Sequence, residues 1–151
     1  MDSEQTVDTA VRVEIYRFFV DHGRPPVPAE LAEPLDLDQA SVEDALRRLA
    51  DQRIVVLAPG TPYIWMANPL SALPTPFQVD TGGRTWFGNC IWDALGIVAM
   101  LDGTGTVSTW CPDCHERLVV SVDDNRLLSG GACVAHYAVP AAQWWDDIGF
   151  N

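Results

Sequence analysis

Apolar residues recur every three or four positions in the first third of the chain, which is the spacing of amphipathic helices. The pattern predicts a first helix over Val7–His22, which ends before a glycine and two prolines. A short helix over residues 28–32 is expected to stop ahead of Pro34, because a proline disfavours helical backbone in the residue before it. A third helix is expected from Asp38, a favourable N-cap, to about Gln52.

Two short apolar runs follow, residues 54–57 and 63–66, and a turn rich in proline and glycine separates them. This pattern predicts a β-hairpin. Three helices and a hairpin are the elements of a winged helix, so residues 1–77 are interpreted as a winged-helix-like domain. Its last part, residues 68–77, contains three prolines and is expected to be an extended linker along the surface.

Residues 78–151 are predicted to form a second domain with a different pattern. A helix is expected from Asn89 to Leu101, with its apolar residues, Trp92 among them, turned to the core. Strands are then predicted over residues 106–110, 117–122, 126–129 and 133–139, with a closing helical turn near residues 141–149. The predicted fold class is therefore α+β, in which a winged-helix-like domain precedes a small antiparallel sheet packed on a helix.

The charge of the chain changes the usual interpretation of a winged helix. The 151 residues carry a net charge of −12, and acidic residues outnumber basic ones in both halves. Around the third helix, three arginines face four carboxylates, which leaves no positive excess to neutralise DNA phosphates. We therefore expect no specific nucleic-acid binding and assign the first domain a structural role.

Location is inferred from segments that the sequence lacks. No apolar run is long enough to cross a bilayer, and the acidic N-terminus has none of the features of a secretory signal. We expect a cytoplasmic protein without a membrane partner. Its four cysteines are accordingly interpreted as reactive, metal-binding or buried thiols and not as a disulfide framework.

The most chemically informative stretch is a cysteine and an aspartate three residues apart at the start of the second-domain helix. If Asn89 caps that helix, Cys90 lies in its first turn, where free backbone N–H groups and the helix dipole favour a thiolate. Asp93 then projects from nearly the same face and can exchange a proton with the sulfur. The alternative interpretation is a buried structural cysteine beside a solvated aspartate.

A second set of thiols has the spacing of a zinc ribbon. Cys111 and Cys114 form a C-x-x-C motif, and Cys133 and His136 form a C-x-x-H motif further along. Together they can supply the four ligands of a closed structural zinc site. A regular strand over residues 133–139 would point Cys133 and His136 to opposite faces, so this site would require a bend there.

The chain resembles the organomercurial (alkylmercury) lyases over nearly its whole length. The resemblance rests on three motifs in this order: Cys90-x-x-Asp93, then Cys111, then Cys133 followed by His136-Tyr137. It implies that two cysteines and one aspartate carry the reaction, with Cys90 and Asp93 as the first pair and Cys111 as a largely structural cysteine. The second catalytic cysteine falls on Ala132 or Cys133, and Cys133 is the thiol available.

The resemblance also implies an activity, the protonolytic cleavage of a carbon–mercury bond to give Hg(II) and a hydrocarbon. Cys90, Cys133 and Asp93 would hold the mercury of substrate and product, because soft thiolates are its preferred ligands. Asp93 would deliver the proton. The substrate would be a small organomercurial and no cofactor is implied. Three aromatic residues, Trp86, Phe87 and Trp92, are candidates to surround the reacting group or to belong to the core.

Two other functions stay open at this point. One is a zinc-stabilised winged-helix module for binding or regulation, which uses the four-ligand set described above. The other is a catalytically silent member of the lyase fold that binds a metal or a small molecule. The family continues past the position of Asn151, so we expect a catalytic domain that is shorter at its C-terminus.

Overall fold

The computed structural model describes residues 3–130 and 132–149. Three helices come first, as the periodicity predicts: α1 (Ser3–His22), α2 (Pro28–Leu35) and α3 (Gln39–Asp51). Asp38 caps α3, because its carboxylate accepts the backbone N–H of Ser41 at 2.8 Å. The buried faces of these helices share one hydrophobic core, made of Val11, Ile15, Phe19, Leu31, Val42, Ala45, Leu46 and Leu49.

The second helix is longer than predicted, since Pro34 lies inside its last turn. The helix closes at Asp36, whose left-handed backbone (φ 53°) lets its N–H reach the carbonyls of Ala32 and Glu33. Burial of Leu31 holds the helix in the core from the other side. Pro34 donates no backbone hydrogen bond, so the bonds from the Asp36 N–H and the burial of Leu31 keep this last turn helical.

Within residues 3–130 and 132–149, all eight strands belong to one antiparallel sheet in the order β1-β2-β3-β5-β4-β6-β7-β8. The strands are β1 (Val56–Leu57), β2 (Ile64–Ala67), β3 (Leu70–Ser71), β4 (Phe77–Thr81), β5 (Arg84–Gly88), β6 (Gly105–Trp110), β7 (Arg117–Asp123) and β8 (Arg126–Leu127). The predicted hairpin and the first three strands predicted after the helix are confirmed, but they are parts of the same sheet. The α+β class is confirmed, and the winged-helix interpretation of residues 1–77 stays a prediction.

The sheet contains three strands that the sequence analysis missed. Residues 68–77 are not a surface linker, because β3 lies between β2 and β5 and both of its residues are buried. Strands β4 and β5 form a tight hairpin whose two turn residues, Gly82 and Gly83, both have positive φ. Such turns favour glycine. The sheet therefore extends across the domain boundary that was predicted near Phe77. The division into two domains at that position stays a prediction.

Helix α4 (Ile91–Leu101) follows β5 and packs against β4 and β5. The approach is close because Gly88 has no side chain: a Cβ there would lie 2.6 Å from the backbone nitrogen of Ala94. Ile97 and Val98 are fully buried on the inner face. Trp92 does not face the core as predicted, since it lies on the outer face and is 73% exposed.

The last part of the described chain has little regular structure. The strand predicted over residues 133–139 is wrong, because no strand occurs after β8 within residues 132–149. None of residues 133–139 is buried, and Val134 is 90% exposed. A short 3₁₀ helix over Ala141–Asp146 confirms the closing helical turn.

A helix that spans a membrane must be both long and strongly apolar. No helix within residues 3–130 and 132–149 combines the length and the hydropathy that a membrane-spanning helix needs.

Candidate active site

Cys90 occupies the N-cap of α4, one position earlier in the helix than predicted. Its extended backbone (φ −147°) precedes the first helical residue, and its sulfur accepts the backbone N–H of Asp93 at 3.5 Å. Asn89, the predicted cap, lies one residue before the N-cap, and its side-chain amide donates to Asn68 and Asp93. The thiol therefore takes the capping role that Ser, Thr, Asp or Asn usually fills.

The electrostatics of Cys90 differ from the expected activation by the helix start. Burial raises the pKa of the Cys90 thiol above its ordinary value, and the N–H of Asp93 opposes this only in part. A buried sulfur loses hydration that its charged form needs, and here that loss outweighs the effect of the helix N-terminus. The expected lowering of the Cys90 pKa by the helix start is therefore wrong, because burial shifts that pKa in the opposite direction.

Asp93 is held next to Cys90 by a short network of hydrogen bonds. The amide nitrogen of Asn89 donates to the Asp93 carboxylate at 3.1 Å and to the Asn68 side-chain oxygen at 3.0 Å. Cys90 also hydrogen-bonds the Asp93 carboxyl. Burial nevertheless raises the pKa of Asp93, with the bonds from Asn89 and Cys90 opposing it. Cys90 and Asp93 are therefore two neighbouring groups that both retain protons more readily than exposed groups do.

Helix α1 supports this network from behind. The hydroxyl of Tyr16 donates to the backbone carbonyl of Asn68 at 2.9 Å. The side-chain oxygen of Asn68 accepts a hydrogen bond from the Asn89 amide, which also donates to Asp93. A chain of hydrogen bonds therefore links α1 to Asp93. The Asn89 side-chain oxygen is buried and finds no hydrogen-bond partner among the described residues.

A mainly apolar pocket of about 510 Å³ opens beside Cys90. Four aromatic side chains line it: Trp65, Phe77, Tyr137 and Trp144. The three aromatics predicted for this role do not, because Trp86 is buried in the core, Trp92 is exposed and Phe87 lies outside the lining. The volume and the lining suit a small apolar group held near the sulfur.

Tyr137 and Trp144 were missed as pocket residues by the sequence analysis. The Tyr137 hydroxyl donates a hydrogen bond to the Cys90 sulfur, and its ring lies 5.1 Å from that of Trp144. The indole N–H of Trp144 donates to the Val139 carbonyl at 3.0 Å. The His136-Tyr137 pair could have indicated Tyr137 as a pocket residue, but it was used only to align Cys133 with the family.

Comparison with known proteins decides the family. The family model described as "MerB: Alkylmercury lyase" matches residues 70–150, which is more than half of the chain. The chain belongs to the alkylmercury lyase family. The resemblance noted in the sequence is thereby confirmed, and the match includes Cys90, Asp93, Cys111 and Cys133.

A solved structure gives the same result for the fold. The chain superposes with a TM-score of 0.64 and 25% identity on a protein described as "Crystal structure of the mercury-bound form of MerB2". The match covers 78% of this chain and 58% of that one, so the present chain spans less than two thirds of the length of that lyase. No curated protein gives a significant match.

Of the three residues that the lyase resemblance assigns to catalysis, the structure brings two together. Cys90 and Asp93 are in contact, whereas Cys133 is exposed and absent from the pocket lining. Its backbone N–H is bonded to the Gly130 carbonyl at 2.9 Å. His136, three residues later, does line the pocket. The catalytic role of Cys133 in this alkylmercury lyase family member stays a prediction.

The alternative zinc site has no support in the described part of the chain. Cys111 and Cys114 lie in the turn between β6 and β7, while Cys133 and His136 belong to the segment after β8. No three His, Cys, Asp or Glu side chains within residues 3–130 and 132–149 are gathered so that they could hold a metal ion. The four predicted ligands therefore do not form a closed tetrahedral site there.

Proposed function

We propose that this chain is an organomercurial lyase that cleaves carbon–mercury bonds by protonolysis and yields Hg(II) and a hydrocarbon. The observation that carries the proposal is the contact between the Cys90 thiol and the Asp93 carboxyl beside an apolar pocket. Membership of the alkylmercury lyase family supports it. Each part of the reaction then has a chemical group to perform it.

Substrate binding uses the thiol of Cys90. A soft R–Hg⁺ cation prefers sulfur to oxygen or nitrogen ligands, so it replaces the proton of Cys90 and forms a sulfur–mercury bond. The displaced proton passes to Asp93, whose carboxyl is hydrogen-bonded to the thiol and has a raised pKa. The organic group R occupies the pocket lined by Trp65, Phe77 and Trp144.

Cleavage returns that proton to the substrate. The carbon–mercury bond breaks and leaves its electron pair on carbon, which takes the proton from Asp93 and departs as the hydrocarbon. Mercury stays in the +2 state throughout, so neither an oxidant nor a cofactor is required. The product Hg(II) remains on the Cys90 sulfur, and the Asp93 carboxylate that has just lost its proton becomes a second ligand.

Cys133 is proposed as a further thiolate ligand that joins the mercury during the reaction. It precedes the pocket residue His136 by three positions, a span of at most about 10 Å of extended chain. The segment between them has no ladder hydrogen bonds to break, because it is irregular. A second sulfur would raise electron density on the metal and weaken its bond to carbon.

The remaining parts of the proposal concern the setting of the reaction. The partner is a small organomercurial molecule, and the acidic helices of the first domain do not bind nucleic acid. We place the protein in the cytoplasm.

The direct test is release of hydrocarbon from an alkylmercury compound by the purified, reduced chain. Asp93→Asn should bind the mercurial but cleave it about 10²–10⁴-fold more slowly, since general acid catalysis is worth that much. Asp21→Asn, an exposed aspartate on α1, is the matched control and should cleave normally. Failure of the unmodified chain to release any hydrocarbon would refute the proposal and leave a mercury-binding protein of the lyase fold.

A further inference from the structure

The C-P-D-C motif, Cys111 to Cys114, has no part in the reaction proposed above. It forms the turn between β6 and β7, where the N–H of Cys111 donates to the Glu116 carbonyl at 2.8 Å. The N–H of His115 donates to the Cys111 carbonyl at 2.9 Å and closes the turn. Cys111 is half-exposed and Cys114 is exposed, so both sulfurs are open to a ligand from solvent.

The turn brings the two sulfurs into contact. The Cys111 sulfur accepts the backbone N–H groups of Asp113 and Cys114 and also the Cys114 thiol. These hydrogen bonds lower the pKa of Cys111 below its ordinary value. The turn thus places two thiols side by side, one of them half-exposed and the other exposed.

The number of ligands indicates which metals such a pair can hold. Structural zinc sites take four ligands, and no group of three or more is gathered in the described residues. A soft cation that accepts two thiolates in a linear arrangement needs only the dithiol itself. The chemistry of the turn therefore selects a thiophilic two-coordinate ion such as Hg(II).

A second pocket lies between the turn and the reaction pocket. This pocket of about 540 Å³ runs along the turn and is lined by Trp110, His115 and Arg117, which flank the two cysteines. Thr75 and Pro76 line this pocket and the Cys90 pocket alike. The two cavities are therefore neighbours with a shared wall.

We propose that Cys111 and Cys114 form a second mercury site that takes up the Hg(II) released from the Cys90 pocket. The inference rests on the proposed lyase function for the source of the ion. Transfer is a ligand exchange without a change of oxidation state. Each new bond between mercury and Cys111 or Cys114 replaces one in the pocket, and the proton of the arriving thiol passes to the vacated ligand or to water.

The test uses inorganic Hg²⁺ and the full-length, reduced chain, so that it does not depend on cleavage. In a Cys90→Ser/Cys133→Ser background, which removes both proposed pocket thiols, the chain should bind one Hg²⁺ tightly and lose its two remaining titratable thiols as it does so. Adding Cys114→Ser should weaken this binding by at least about 100-fold, the usual benefit of joining two ligands in one site. Adding Asp124→Asn, at an exposed residue of the turn between β7 and β8, is the control and should leave the affinity unchanged.

Two results would overturn the proposal: no tight binding of Hg²⁺ in the Cys90→Ser/Cys133→Ser background, or tight binding that survives the further change Cys114→Ser. Circular dichroism checks that each variant is folded, and replacement of the exposed Cys114 alone provides a second, milder variant. A chain that binds Hg²⁺ at this turn but cleaves no mercurial would refute the lyase function alone. A chain that cleaves mercurials without binding at this turn would refute the second site alone.

Discussion

Gly88→Ala is the substitution that most directly tests how the fold positions Cys90 and Asp93. Gly88 ends β5, two residues before Cys90, and its missing side chain lets α4 approach the sheet. An added Cβ would lie 2.6 Å from the Ala94 nitrogen, 2.8 Å from its Cα and 3.1 Å from its Cβ. The first two contacts are with backbone, so no side-chain rotation can relieve them.

The size of the effect follows from these distances. Restoring an ordinary contact of about 3.4 Å requires α4 to move by about 0.8 Å. Overpacking of this kind costs about 1–3 kcal/mol of unfolding free energy. The displaced turn contains Cys90 and Asp93, and a misplacement of about 1 Å can reduce a rate by about 100-fold.

Each variant is assayed by denaturant unfolding and by hydrocarbon release. The control is Gly96→Ala, which lies within α4. A Cβ at Gly96 would meet only Pro69, at 3.7 Å, which is an ordinary contact. Glycine to alanine inside a helix then stabilises by up to about 1 kcal/mol. If Gly88→Ala unfolds at the same denaturant concentration as the unmodified chain, the close approach of α4 to the sheet is not a constraint and this reasoning is refuted.

Three further predictions concern charge. Because burial raises the pKa of Asp93, the stabilisation that its protonated form provides is lost as pH rises above the ordinary titration range of an aspartate, so Asp93→Asn should gain unfolding free energy relative to the unmodified chain as pH increases; the same pH dependence of unfolding in Asp93→Asn and the unmodified chain would contradict this. Iodoacetamide at neutral pH should label Cys111 before Cys90, as mass spectrometry can follow, since their pKa values shift in opposite directions; earlier labelling of Cys90 would be inconsistent with its burial. Asp8→Ala should cost about 2 kcal/mol in urea unfolding, because Arg48 donates three hydrogen bonds to that largely buried carboxylate, at 2.6–3.1 Å; an unchanged midpoint would show that the pair contributes nothing.

Local sequence patterns were sufficient for the helices and for the Cys90–Asp93 pair. Helical periodicity and the Asp38 cap are properties of neighbouring residues, so α1 and α3 could be predicted closely. The same holds for the contact of Cys90 with Asp93, which follows from their spacing at a helix start. The raised pKa of Cys90 could not be predicted, because the burial that causes it depends on residues far along the chain.

Strand pairing and the walls of the pocket depend on such distant contacts. Phe77–Thr81 alternates buried and exposed positions, yet its place between β5 and β6 is fixed by partners on both sides. Residues 133–139 are apolar enough to suggest a strand, but no edge of the sheet pairs with them in the described chain. Tyr137 and Trp144 line the pocket from the segment after β8. The hydrophobic periodicity of the sequence does not indicate which of its residues do so.

The central claim is that Cys90 and Asp93 act together, with the sulfur holding mercury and the carboxyl supplying the proton. The measurement that tests it most directly is a single-turnover experiment with an alkylmercury compound, in which mercury binding and hydrocarbon release are followed separately. The account predicts that Asp93→Asn binds the compound but releases hydrocarbon about 10²–10⁴-fold more slowly, and that Cys90→Ser does not bind it. Hydrocarbon release by Asp93→Asn at the unmodified rate would contradict the claim.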